Sequence, residues 1–396
     1  MRNVNVKYIV KALKNYQLNH FNFRMILYVV ILTTIGYLTI GSATDPADGY
    51  QSKQLLGITI AVAFMLVATI ISYKFIFMFY WLIYALNAVL LLAVMVFGDS
   101  HLGAKRWITV TSSINIQPSE FTKVLMTIFI AAFIQKNYER MNSFRFLITI
   151  AILTAFPLFL IFKQPDLSTT IVLFSAFSLM IFLSGLDIRI VLGILLFAIP
   201  IGAVVIYLIF TLPPDKNIIK EYQYNRIVRF FQSEEERDND TQRLMYQQEN
   251  SVLAIGSGGL TGKGLNNNTI TSVKNGNFLS EPHTDFIFTI IGEEMGFIGC
   301  ASVLLLIILI CFECFLVGGH ACDLQGKVFA YGFGCLIAVQ TIVNVSVVTM
   351  LIPNTGLTLP FISYGLCSLI SMYSGIGVIL NIGMQRTKNI YEEVKM

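Results

Sequence analysis

Ten apolar runs fix the class of this chain before any other feature is weighed. They fall at 25–43, 54–73, 75–97, 119–135, 144–162, 167–185, 188–211, 286–317, 327–350 and 361–383. Each is long enough for a helix crossing a hydrocarbon core of about 30 Å. The runs are continuous rather than alternating, which argues against membrane strands. Only 13% of the 396 residues are charged and 55% are hydrophobic, where a soluble domain carries about 25% charge. The expectation is an all-α membrane protein, a polytopic bundle of ten transmembrane helices with both termini on one side.

Lysine and arginine orient such a bundle. One side holds Arg2, Lys7, Lys11, Lys14, Arg24, Lys74, Lys136, Arg140, Arg145, Arg189, Lys327, Arg386, Lys388 and Lys395. The short loops of the other hold Lys53, Lys105, Arg106 and Lys163. The richer side is read as cytoplasmic. Residues 1–24 then form a basic cytoplasmic segment, 25–385 the membrane domain and 386–396 a cytoplasmic tail. The polar stretch 212–285 becomes a long extracellular loop between helices 7 and 8. The first run ends at Gly41-Ser42-Ala43, like a signal peptide, but it is of full span length and many spans follow, so it is read as retained.

A net charge of +4 does not suggest nucleic acid. The six cysteines imply no disulfide framework, and Cys311 and Cys314, inside an apolar run, read as small core residues. Within the long loop, YQYNRIVRFFQ suits either a helix lying in the interface or a solvated one, and the acidic run 234–240 reads as solvated. GSGGLTGKGLNNN mimics a phosphate loop but lacks its key residues. Ser257 stands where the first glycine belongs and Gly264 where a Ser or Thr belongs. The stretch also faces outward, so nucleotide binding is rejected.

A charge at the centre of a spanning helix costs about 2.5–3.5 kcal/mol on insertion scales and is tolerated mainly for pairing or function. In GAKRWITVTSSINIQPSEFTKVLM, Pro118 suits the first turn of a helix and Glu120 meets the positive end of its dipole. Lys123 shares a face with Glu120, as a structural or a functional pair. Lys105, Arg106 and Trp107 precede that helix, as interface anchors or as a grip on a phosphate or sugar ring. In KQPDLST, Asp166 is either a helix cap or a site residue, with Lys163 just before it.

The stretch SEPHTDFIFTIIGEE, residues 280–294, places Asp285 at the border of an apolar run. From Asp285 to Val317 a helix would be about 50 Å long, more than one crossing. Its first turns then lie along the interface or dip into a cavity, putting Asp285 in a pocket reached from outside. There it is either an N-cap or a base. His283 reads as hydrogen-bonded rather than metal-bound, and Glu293 and Glu294 as braces for neighbouring helices. NTGLTLPFISYGLCS makes a shaped turn carrying Ser363 and Tyr364. All these clusters fall on the external face. Transporters place ionisable groups near the midplane, so the arrangement better suits chemistry on a lipid headgroup.

GAKRWI, QPSEFTK, KQPDLST, ENSVLAIGSGGLTGKGL, EPHTDFIF with IGEEMGFIG, and LPFISYG occur in an order that resembles the SEDS family of shape, elongation, division and sporulation proteins. The likeness spans residues 25–385. It implies a ten-helix fold in the bacterial cytoplasmic membrane and a peptidoglycan glycosyltransferase that polymerises lipid II outside it. The implied partner is a class B penicillin-binding protein, a transpeptidase. The family's essential aspartate falls on Asp285, in the motif with His283 and Thr284. Its Arg-Trp pair falls on Arg106 and Trp107, its glutamate and lysine on Glu120 and Lys123, and its QPDL aspartate on Asp166. Ser168, Leu366 and Cys367 depart from the family pattern, which bears on packing near the last outer loop. The lean is to the elongation type, without a deciding residue.

In such a reaction the leaving group is a polyprenyl pyrophosphate, so the substrate carries the energy. An anion departs, and cations are needed: Arg106, Lys105 and Lys123, with a divalent ion (Mg or Mn) able to share the work. Asp285 takes the proton of the acceptor alcohol, and one carboxylate on the attacking side suits inversion. Two rivals stay open, a flippase for the lipid precursor and a non-catalytic scaffold that activates the penicillin-binding protein.

Overall fold

Inside an apolar run the backbone finds no water, so its hydrogen bonds must close within helices. The computed structural model describes residues 16–385, apart from 102–103, 112–113, most of 214–238 and most of 267–280. Its helices are α1 (Phe23–Ala43), α2 (Tyr50–Ile70), α3 (Tyr73–Met78), α4 (Tyr80–Phe97), α5 (Pro118–Lys136), α6 (Phe144–Lys163), α7 (Leu167–Leu183), α8 (Ile188–Thr211), α9 (Asn239–Ser257), α10 (Ile287–Gly319), α11 (Leu324–Val348) and α12 (Leu366–Met384). Eight of them, α1, α2, α4, α6, α8, α10, α11 and α12, are long and apolar enough to cross a membrane. Helices α5 and α7 occupy expected runs but fall outside that measure. Polar first turns with Glu120 and Lys123 begin α5, and α7 has 17 residues.

The all-α expectation needs one correction. Between α4 and α5 the chain forms a small antiparallel sheet in the order β1 (Asp99–His101), β2 (Ala104–Thr111), β3 (Ile114–Ile116). Residues Trp107 to Thr111 alternate aromatic or β-branched side chains with one another, which favours a pleated strand. Ile108 pairs with Ile116, and Trp107 with Asp99.

Helix α12 is the most deeply buried. It packs on α2, while α10 packs on α11 and α1, and α11 on α7 and α5. The opposite extreme is α8, which has no buried residue. An apolar helix exposed on every face would be a liability in water and is at home in lipid. At one end of α10, Glu313 is buried, and its carboxylate is met by Arg24 at 3.0 Å and by Asn22 at 2.7 Å.

The excess length of α10 is taken up by a kink. Gly296 there has φ 65° and ψ −162°, outside helical space. The glycine-rich stretch after α9 is what holds it. Lys263 N and Gly264 N donate to the carbonyls of Glu293 and Glu294, at 3.0 and 2.9 Å. Phe297 N and Ile298 N donate back to Gly259 and Leu260, at 2.9 and 3.1 Å. A Cβ on Gly262 would overlap the Glu294 carbonyl, and one on Gly296 would overlap Gly262 N. The likeness to a phosphate loop thus has a packing origin. Glu293 and Glu294 brace the same junction: Lys263 Nζ lies 2.8 Å from Glu293 Oε1, and Ser42 Oγ donates to Glu294 Oε1. Most of YQYNRIVRFFQ and of the acidic run beside it lies outside the described residues, as do residues 1–15 and 386–396.

Candidate active site

The segment 351–365 joins α11 to α12, and three charged clusters reach it. The first is the turn 281–286 ahead of α10. Asn344 of α11 donates from Nδ2 to Asp285 O at 2.9 Å and to Leu357 O at 2.6 Å. Ser363 Oγ donates to Thr284 O at 2.7 Å, and Tyr364 N to His283 O at 2.9 Å. The Asp285 turn is therefore tied to the segment through its main chain. Asp285 Oδ2 lies against Gly356, where a Cβ would stand 3.1 Å away. The φ of Gly356 is +67°.

His283 is buried beside Tyr50 and Tyr364, with ring centroids 4.3 and 5.4 Å away. Burial holds its imidazole below the ordinary 6.5, with Glu281 and Asp48 pulling weakly the other way. Thr284 Oγ1 donates to Glu281 O at 3.1 Å.

The second cluster lies on α5. Lys123 is 0% exposed. Its Nζ donates to both oxygens of Glu120 at 2.8 Å and to Gln340 Oε1 at 2.9 Å. Three N–H groups are all an ammonium has. Gln340 in turn donates from Nε2 to Thr358 O at 2.8 Å, which carries the network into the segment. Lys123 and Glu120 form the floor of the site rather than an open cation.

The third cluster joins the sheet to the turn between α6 and α7. Arg106 donates from Nε to Gln164 O at 3.2 Å and from its guanidinium to Pro165 O. Its NH1 stands 3.9 Å from Asp166 Oδ1. Asp166 caps α7 by accepting from Thr169 N at 3.2 Å, and Gln117 Nε2 lies 3.5 Å from its other oxygen. Ser168, two residues on, donates to Thr355 O. The third cluster thus ends one residue from Gly356. Trp107 sits on β2 opposite Asp99. The side chain of Lys105 lies outside the described residues.

Gln340, Asn344 and Thr355 are polar partners that the sequence reading did not single out. Gln340 and Asn344 were detectable as two amides four residues apart, on one helical face of an apolar run. Two of the departures from the family pattern have clear contacts. Ser168 binds Thr355 as described. Cys367 Sγ accepts from Gln117 N at 3.4 Å and lies 3.6 Å from Asn115 O. Among the described residues no group of three or more His, Cys, Asp or Glu side chains gathers to hold a metal, so no step is routed through one.

The cell cycle protein family of FtsW, RodA and SpoVE matches residues 18–388. A probable peptidoglycan glycosyltransferase FtsW of Buchnera aphidicola is 36% identical over 307 residues, covering 76% of this chain and 75% of that one. Stage V sporulation protein E of Bacillus subtilis is 33% identical over 371 residues, covering 90% and 95%. Among solved structures, rod shape determining protein RodA of Thermus thermophilus superposes with a TM-score of 0.65 at 24% identity, over 93% of this chain and 98% of that one. A chain of a peptidoglycan synthase complex that coordinates polymerization and crosslinking gives a TM-score of 0.74 at 22% identity, over 93% and 99%. These two likenesses show a shared fold.

Proposed function

The chain belongs to the cell cycle protein family of FtsW, RodA and SpoVE, and on that premise we propose that it is a peptidoglycan glycosyltransferase. It polymerises lipid II into glycan strands at the outer face of the bacterial cytoplasmic membrane. The observation that carries this reading is the meeting of three charged clusters at segment 351–365, beside the Asp285 carboxylate.

In the mechanism, Asp285 accepts the proton of the acceptor sugar's hydroxyl as its oxygen attacks the anomeric carbon of the donor. The bond from that carbon to the pyrophosphate oxygen breaks, and polyprenyl pyrophosphate leaves with the electron pair. Attack from the side opposite the leaving group inverts the centre. Arg106 carries five N–H donors, of which the main chain at Gln164 and Pro165 takes two. With Lys105 it is the cation we assign to the departing anion. Glu120 and Lys123 hold α5 against α11 beneath the site, and His283 and Thr284 shape the turn that presents Asp285.

Ten spans with both termini in the cytoplasm, and an external 212–285 loop, complete the reading. The fold shared with a subunit of a crosslinking complex supports a class B penicillin-binding protein as partner. Purified protein, with and without that partner, should turn lipid II into glycan ladders on a gel. Lipid II that crosses a bilayer but never lengthens would instead identify a flippase, and activity only from the partner would identify a scaffold.

A further inference from the structure

Two buried polar atoms near Asp285 lack a hydrogen-bond partner among the described residues, Asn344 Oδ1 and Thr355 Oγ1. About nine in ten such atoms are paired, so two in one site require a cause. Asn344 is 1% exposed. Its Nδ2 is committed to the carbonyls of Asp285 and Leu357, which fixes the amide and leaves Oδ1 over. Thr355 adjoins Gly356, which backs onto Asp285 Oδ2. The Thr355 carbonyl already accepts from Ser168, so the segment does not need the hydroxyl to hold its place. The residue itself is only partly buried. A χ1 rotation can therefore re-aim the hydroxyl without moving the main chain.

We infer that Asn344 Oδ1 and Thr355 Oγ1 form a saccharide subsite for the sugar whose alcohol Asp285 deprotonates. The inference rests on the transferase reading above. Its chemistry selects the ligand class. An amide oxygen only accepts, and a hydroxyl both donates and accepts. A sugar with hydroxyl and acetamido N–H groups satisfies both. A pyrophosphate offers no donor to Oδ1 and is repelled by the neighbouring carboxylate, and a hydrocarbon tail would leave both atoms unpaired.

The test uses full-length protein in lipid nanodiscs and compares wild type, Thr355→Val and Thr355→Ser. Lipid II affinity, KM and kcat for polymerisation and the unfolding temperature are measured on each. Thr355→Val should weaken lipid II binding and raise KM about tenfold, as for one lost hydrogen bond. Its unfolding temperature should stay level or rise, because valine removes an unpaired buried hydroxyl. Thr355→Ser should keep wild-type affinity. Unchanged affinity and KM in Thr355→Val overturn the subsite, while glycan ladders from the wild type leave the transferase reading standing. Affinity that falls together with the unfolding temperature also overturns it, by showing a structural role. If the wild type binds lipid II but forms no glycan, the transferase reading falls and the affinity comparison still decides the subsite. No binding by the wild type overturns both.

Discussion

The Asp285 carboxylate faces Gly356 so that a methyl group on Gly356 would stand 3.1 Å from Oδ2. Gly356 also has a left-handed φ of +67°, which costs an ordinary residue roughly 1–2 kcal/mol. Gly356→Ala should shift the carboxylate and lower glycan polymerisation by about ten- to a hundredfold, since sub-ångström placement matters to catalysis. A polymerisation assay paired with thermal unfolding checks this. Wild-type turnover would mean that Gly356 does not set the position of Asp285.

Asp285→Asn keeps the size of the side chain and removes its basicity. Polymerisation should fall by about 10²–10⁴-fold, the usual worth of a general base. The bond from Asn344 goes to the main chain at residue 285, so the substitution leaves that tie in place. Single-turnover rates on lipid II, with unfolding temperature as the control, give the comparison.

The Glu120–Lys123 pair is enclosed, and breaking one half of a buried pair typically costs about 3–5 kcal/mol. Lys123→Met alone leaves Glu120 without its cation and should lower the unfolding temperature sharply. Adding Glu120→Leu should recover much of that loss, because two apolar side chains replace both charges. A double variant no more stable than the single one would show that Gln340, which also accepts from Lys123, sets the stability.

His283 links stability to pH. Burial lowers its pKa from 6.5 in the folded protein, so the unfolded chain binds the proton more readily. Its contribution is complete above about pH 6.5 and is lost as pH falls from there through the lower folded value. His283→Phe should flatten that limb of the stability profile below about pH 6.5. Unfolding temperatures measured across the range test it; an unaltered slope would place the proton uptake elsewhere.

Much of the helical frame was legible, because apolar runs of span length have few other outcomes. The excess length from Asp285 onward pointed to first turns set apart from the span, and the chain kinks at Gly296; the pairing of Glu120 with Lys123 followed from their spacing. The sheet at 99–116 was missed, since short strands inside a boundary stretch give no long period to read. The glycine-rich stretch was rejected as a phosphate loop, but its real role went unread: its glycines are required by main chain packed on main chain. Asn344 and Gln340 were missed for a related reason. Their importance comes from carbonyls at Asp285, Leu357 and Thr358, which the helical spacing of the two amides does not by itself reveal. The similar curated proteins named above carry division and sporulation names, so the lean to the elongation type finds no support among them.

The bend at Gly296 is imposed from outside the helix, by peptide groups of 259–264. The glycine-rich stretch therefore works as a splint. Side chains along the membrane-facing surface of α10 can change without altering its course, because none of them sets the angle. Cutting the chain near Gly262 should release the short arm, Ile287–Met295, to straighten, and the turn bearing Asp285 would swing with it.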